Sequence, residues 1–151
     1  MAELPGAVLF ACNFNRVRSP MAEALMRLAY GDRVFVDSVG LKQEAGQTQV
    51  DPFAAAVIDE MGGDLSGFHP KTFGELEDES FDVVISLTPE AQHRAVELAR
   101  DRAVDIEYWP TFDPTLTEGS REQRLDAYRA VRDELARRIR ERFGRPSTFG
   151  G

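Results

Sequence analysis

The sequence has one cysteine, so no disulfide can form within these 151 residues. A single free thiol fits a reducing compartment. Histidine is nearly as scarce. His69 and His93, taken with Cys12, match no compact zinc spacing, and neither a metal nor another cofactor is expected. No stretch approaches the roughly 18 continuous apolar residues that a membrane span needs. Met1-Ala2-Glu3-Leu4-Pro5 lacks the basic start and apolar core of a secretory signal. Basic excess is also missing: 18 Lys and Arg face 26 Asp and Glu, a formal net charge of −8. That balance argues against nucleic acid or an anionic membrane as partner. The run Arg137-Arg138-Ile139-Arg140-Glu141-Arg142 reads as the solvated last turns of a helix, where cations suit the dipole. A cytoplasmic location is expected, and the oligomeric state is left open.

A hydrophobic content of 42% is ordinary for a globular chain, and this length suits one domain. We place that domain at residues 1–143, with a flexible tail over 144–151. Apolar runs alternate with helical patterns. Ala7–Ala11, Val34–Asp37, Phe81–Leu87 and Val104–Tyr108 read as strands. Helices are predicted from about Ser19 to Tyr30, from Asp51-Pro52 to about Met61, from Thr88-Pro89 to about Arg100, and from Ser120 to Arg142. A short helix is predicted after Lys71, and residues 39–49 read as a loop. Strand–helix alternation implies an α/β fold: a single open, four-stranded parallel sheet with helices on both faces. Right-handed crossovers then gather Cys12, Ser38, Thr88 and Asp113 at one sheet edge, where ligands bind in such folds.

The chemistry concentrates in Cys12-Asn13-Phe14-Asn15-Arg16-Val17-Arg18-Ser19-Pro20, between the first strand and the first helix. Successive backbone N–H groups over Asn13, Phe14, Asn15, Arg16 and Val17, aimed with a helix N-terminus, form an anion cradle. The same field favours a thiolate over a thiol. Cys12 is therefore a candidate nucleophile towards a tetrahedral oxyanion. The planar fork of Arg18 suits two nonbridging oxygens. Its place at a helix start is unfavourable for a cation, and a bound anion supplies the reason. Asn15 suits a left-handed backbone and bracing hydrogen bonds. Ser19 either caps the helix or donates towards the Cys12 sulfur. Arg16 is expected to point outward, either steering anions or merely solvated.

These residues resemble the signature of the low-molecular-weight protein tyrosine phosphatases and of the arsenate reductases built on the same scaffold. That signature is Cys, five residues, Arg, then Ser or Thr, usually with Pro. The resemblance extends through Asp37-Ser38-Val39-Gly40, Leu65-Ser66-Gly67 and Asp113-Pro114, nearly the whole chain. It implies that Asp113 is the general acid and that Ser38 braces the catalytic loop. The implied activity is phosphomonoester hydrolysis through a cysteinyl-phosphate, without cofactor, on a phosphorylated protein or small molecule. Inorganic oxyanions would bind in the same place. Two alternatives stand beside it: an arsenate reductase fed by an external small thiol, and a non-catalytic oxyanion-binding regulatory module. Departures from the family pattern concern the pocket walls. Phe14 stands where the family usually has Gly, and Val17 where the eukaryotic phosphatases have a second Cys. Thr115-Leu116 follows Asp113-Pro114 in place of an aromatic, and Phe68 stands where a His often follows the Ser-Gly turn. Residues 44–52 carry no Trp or Tyr, which looks more like the arsenate-reductase branch.

Overall fold

A computed structural model describes residues 4–76 and 80–144. Four parallel strands, β1 (Ala7–Cys12), β2 (Phe35–Gly40), β3 (Val83–Ser86) and β4 (Asp105–Tyr108), form one sheet in the order β2-β1-β3-β4. Between and after them lie α1 (Arg18–Tyr30), α2 (Pro52–Asp59), α3 (Pro89–Leu98) and α4 (Arg121–Phe143). The predicted sheet and the four helices are present. The tail expected over 144–151 lies outside the described residues beyond Gly144.

Strand β1 is central and buried on both faces, which is why it reads as an unbroken apolar run. Its side chains divide by parity. Val8, Phe10 and Cys12 join the larger core, with Met21, Leu25 and Met26 of α1, Val57 and Ile58 of α2, and Tyr128, Leu135 and Ile139 of α4. Leu9 and Ala11 face the other way, against Val39, Val84 and the Ala91 and Ala95 side of α3. Fully burying side chains of this size stabilises by roughly 1.5–3 kcal/mol each, before the entropy cost of ordering them.

Three helix starts are capped by side chains, two of them, Asp51 and Thr88, as the sequence suggests. Asp51 accepts from the Phe53 and Ala54 N–H groups, Thr88 from Ala91, and Ser120 with Gln123 closes a reciprocal capping box. Helix α1 has no side-chain cap, because the residue before it is Val17. Its first N–H groups therefore have no side-chain partner at the end of the loop that follows β1.

Two of the departures from the sequence reading bear on the site. Strand β2 runs on through Ser38, Val39 and Gly40, so residues 39–40 belong to the sheet and not to the loop. Phe10 is registered with Ser38 and Cys12 with Gly40. A buried serine and a glycine hid the strand, because neither carries a β-sheet side-chain signature. After Lys71 there is a single 3₁₀ turn, Phe73–Glu75, rather than a helix.

Candidate functional site

Cys12 closes β1 at the C-terminal edge of the sheet, and the chain turns through residues 13–17 before entering α1. Asn15 makes that turn with φ of 57°, a left-handed conformation that asparagine tolerates better than most residues. Phe14 is not among the residues with positive φ, so its backbone does not call for glycine. The crowding is carried instead by Gly40. A Cβ there would lie 2.7 Å from the Asn15 N and the Phe14 carbonyl carbon, both backbone atoms. The sheet edge thus needs a glycine to let the loop lie flat against it.

Beneath the loop runs a buried polar network. The Asn15 Oδ1 accepts from the backbone N–H of Lys71 at 2.9 Å, which fixes the orientation of the amide. The Nδ2 end therefore donates to Ser19 Oγ (2.8 Å) and Ser38 Oγ (2.9 Å). Each hydroxyl, having accepted from Asn15, has its own proton to give. Ser38 gives it to Glu23 Oε1 at 2.7 Å. The nearest acceptor for Ser19 is the Cys12 sulfur at 3.0 Å, with the Val39 carbonyl farther off at 3.4 Å. The hydrogen bonds thus point one way along the network and present a donor to Sγ. Ser19 lies within the first turn of α1 and serves the sulfur, not the helix as a cap. Asn15, Ser19 and Ser38 are fully buried, and Glu23 nearly so. Burial pushes the Glu23 carboxyl above its usual range, and the hydrogen bond from Ser38 and the charge of Arg27 only partly offset it.

Outside the loop the groups are charged. Arg18 donates to the Thr111 carbonyl at 3.1 Å, and its Nη2 lies 3.9 Å from Asp113 Oδ2. The other oxygen of Asp113 accepts from the N–H and the hydroxyl of Thr115. Asp113, far from Cys12 and Arg18 in sequence, therefore joins them in lining one pocket of about 240 Å³, with Phe14, Arg16 and Val17 in its wall. Larger hollows of about 520 and 620 Å³ lie elsewhere and do not reach Cys12. Asn13 is tied from the side by the Thr88 hydroxyl at 2.7 Å, so the residue that caps α3 also holds the loop.

Arg16 corrects an expectation. It does not point outward. Its guanidinium donates to Glu44 (2.8 Å) and to the Gln49 carbonyl (2.9 Å), and only 14% of its side chain is exposed. Arg16 pins the 44–51 segment against the loop that follows β1. His93 is solvent-exposed beside Glu97 in α3. Among the described residues no three His, Cys, Asp or Glu side chains gather as metal ligands would, and no helix is long and apolar enough to cross a membrane.

Several site residues escaped the sequence reading. Glu23 sits in a helical run whose spacing does not reveal that it is buried. Asp51 was legible as a cap, yet its second oxygen also accepts from the Tyr128 hydroxyl at 3.0 Å, on the pocket floor. Burial, reinforced by the Asp51 charge, raises the Tyr128 phenol further and keeps it a neutral donor. Arg124 and Glu44 also line the pocket. No local motif marks them, because their position depends on how α4 and the 44–51 segment pack.

Residues 7–143 match the family described as low molecular weight phosphotyrosine protein phosphatase. The glutaredoxin arsenate reductase of Synechocystis sp. is 30% identical over 132 residues, covering 87% of this chain and 92% of that protein. The arsenate reductase of Bacillus subtilis is 27% identical over 134 residues, covering 89% and 92%. Among solved structures, an arsenate reductase in a phosphate-binding state superposes with a TM-score of 0.74 at 28% identity, over 91% of this chain and 96% of that one. A low molecular weight protein tyrosine phosphatase from T. tengcongensis gives 0.72 at 25% identity, over 89% and 95%.

Proposed function

Because the chain belongs to the low molecular weight phosphotyrosine protein phosphatase family, we propose that it hydrolyses phosphomonoesters through a cysteinyl-phosphate intermediate. The observation that carries this reading is the meeting of the Cys12 thiol, the Arg18 fork and the Asp113 carboxyl in one small pocket. Helix α1 starts straight after the same loop with no side-chain cap on its first N–H groups, which leaves them for an anion.

In the first step the Cys12 thiolate attacks phosphorus in line with the leaving oxygen. The S–P bond forms, the P–O bond breaks, and its electron pair departs on oxygen. Asp113 gives that oxygen a proton, a contribution of about 10²–10⁴-fold for a poor leaving group. Arg18 and the loop amides hold the three remaining oxygens as their charge grows. In the second step water attacks phosphorus, Asp113 takes its proton, and the S–P bond breaks. The hydroxyl of Ser19, 3.0 Å from Sγ, stabilises the departing thiolate. Orthophosphate and the starting enzyme result.

A second reading has its own support, because the curated relatives at 27–30% identity are named arsenate reductases. Reduction would place arsenate on Cys12 and then require a second thiol. This chain carries one cysteine, so that thiol must come from another molecule. Side-by-side assays separate the readings. The purified chain is given para-nitrophenyl phosphate, a phosphotyrosine peptide, arsenate with a small thiol, and arsenate with thioredoxin, its reductase and NADPH. Hydrolysis of the esters without arsenate turnover is expected. Arsenate turnover with a small thiol and no ester hydrolysis would select the reductase. Sustained thioredoxin-driven turnover would show that thioredoxin can attack the Cys12 adduct directly.

A further inference from the structure

Three cations and three carboxylates line the Cys12 pocket: Arg16, Arg18 and Arg124, with Glu44, Asp51 and Asp113. All three carboxylates are engaged within the chain. Glu44 pairs with Arg16 at 2.8 Å. Asp51 caps α2 through one oxygen and accepts from Tyr128 through the other. Asp113 accepts from Thr115 and approaches Arg18. Arg16 and Arg18 each also donate to a backbone carbonyl. Arg124 stands apart. Among the described residues its side chain has neither a carboxylate partner nor a hydrogen bond, and its guanidinium lies over the Phe53 ring, 4.7 Å from the centroid.

That stack has a consequence. A guanidinium held over a ring meets its π face and, with five N–H donors, keeps enough of them for a bidentate anion. The platform is firm. Phe53 is in the first turn of α2, behind the Asp51 cap, and meets Tyr128 edge-on at 5.4 Å. Arg124 also occupies the first turn of α4, with Arg121 over the same ring at 5.6 Å. The helix dipole disfavours cations at that end. Two arginines there, one lining the pocket, make sense if an anion comes to them.

We propose that Arg124 is a specificity residue that binds a second anionic group of the substrate, a carboxylate or further phosphoryl group carried beside the phosphomonoester. The proposal rests on the oxyanion reading of the Cys12 pocket. The favoured substrate is then a phosphorylated molecule with an acidic neighbour, and the recognition is bidentate and stacked, not merely charge attraction.

The test reads binding to the Cys12→Ser protein by calorimetry, so it needs no turnover. One ligand pair is a phosphotyrosine peptide with Glu beside the phosphotyrosine and the same peptide with Gln. The other is carboxyphenyl phosphate and phenyl phosphate. Inorganic phosphate reports the loop alone. With Arg124 present, the acidic member of at least one pair should bind about tenfold tighter. Adding Arg124→Gln should reduce that preference to twofold or less, while phosphate affinity changes far less. Arg124→Lys keeps the charge but loses the fork, and should leave an intermediate preference. Preference in the peptide pair alone supports an acidic peptide side chain as the second anion. Preference in the small pair alone supports a small phosphorylated acid. Equal binding within both pairs, or a preference that survives Arg124→Gln, overturns the proposal. If the native chain fails to hydrolyse any phosphomonoester, the hydrolytic reading falls while these binding ratios still decide the subsite.

Discussion

The loop that follows β1 is held by different physics on its two sides. Its inner side rests on Asn15, Ser19, Ser38 and Glu23, all buried, with three of them uncharged and every bond directional. Its outer side is ringed by Arg16, Glu44, Asp113, Arg18 and Arg124, partly wet and charged. Buried directional bonds tolerate one arrangement, because each unmatched group costs a full desolvation penalty. Wet charges tolerate many, because water and salt screen them. The inner side thus sets where sulfur and the loop amides sit. The rim is where partners can change without dismantling the loop.

The most severe way to break this comparison removes the atom both sides serve. Cys12→Ser should bring hydrolysis of para-nitrophenyl phosphate to background. Phosphate binding, measured by calorimetry, should survive in part because the loop amides remain. Normal turnover would remove Cys12 from the nucleophile role.

Next in size is a change on the rim. Asp113→Asn should lower kcat about a hundredfold on phenyl phosphate, whose leaving oxygen needs a proton. The loss on para-nitrophenyl phosphate, with its better leaving group, should be much smaller. Equal losses on both would show that Asp113 acts only through its contact with Arg18.

The two sides can then be set against each other in stability. Asn15→Ala strips three hydrogen bonds from a buried network and leaves alanine at a φ of 57°. It should destabilise by about 2–4 kcal/mol in denaturant unfolding. Arg16→Ala, on the rim, should cost less, about 1 kcal/mol, because its Glu44 partner is exposed to water and the pair is partly screened. Similar costs for the two would erase the distinction.

The smallest effect is a contrast in pH dependence. The Glu23 carboxyl is raised above its usual 4.5 by burial. Its contribution to folding is therefore full below pH 4.5 and is lost as pH rises through the raised value. Glu23→Gln mimics the neutral form, so its melting temperature relative to the parent should climb from pH 4 to pH 7. Glu60, between α2 and α4, runs the other way. Hydrogen bonds from Arg129, then from Arg132, hold its carboxyl down at about 2. Its contribution is present above pH 4.5 and is lost as pH falls towards 2, so Glu60→Gln should destabilise at pH 6 and match the parent near pH 2. Parallel pH curves for the two variants would contradict both assignments.

Much of this was legible before any fold was known. The apolar run into Cys12, the Cys-x5-Arg spacing and the Ser-Pro start of α1 are local, and local spacing is what a sequence records. Asp51 and Thr88 announced their helices because a cap acts on N–H groups two or three residues away. Arg16 was misjudged, because its partner Glu44 lies 28 positions on and nothing local shows it folding back. The end of β2 was missed because its residues are chosen for closeness to the loop and not for strand propensity.

The sequence by itself determined the α/β alternation, the loop that presents Cys12 and Arg18 together, and the single thiol that limits the redox chemistry. Only the tertiary structure decided what surrounds that loop. It placed Glu23 beneath Ser38, laid Gly40 against the Asn15 backbone, brought Asp113 to Arg18 from ninety-five residues away, and set Arg124 over Phe53 at the pocket. The physical reason is reach. Propensity, capping and spacing act within a few residues along the chain, whereas burial, ion pairing and close packing act between atoms that meet only when helices close on the sheet.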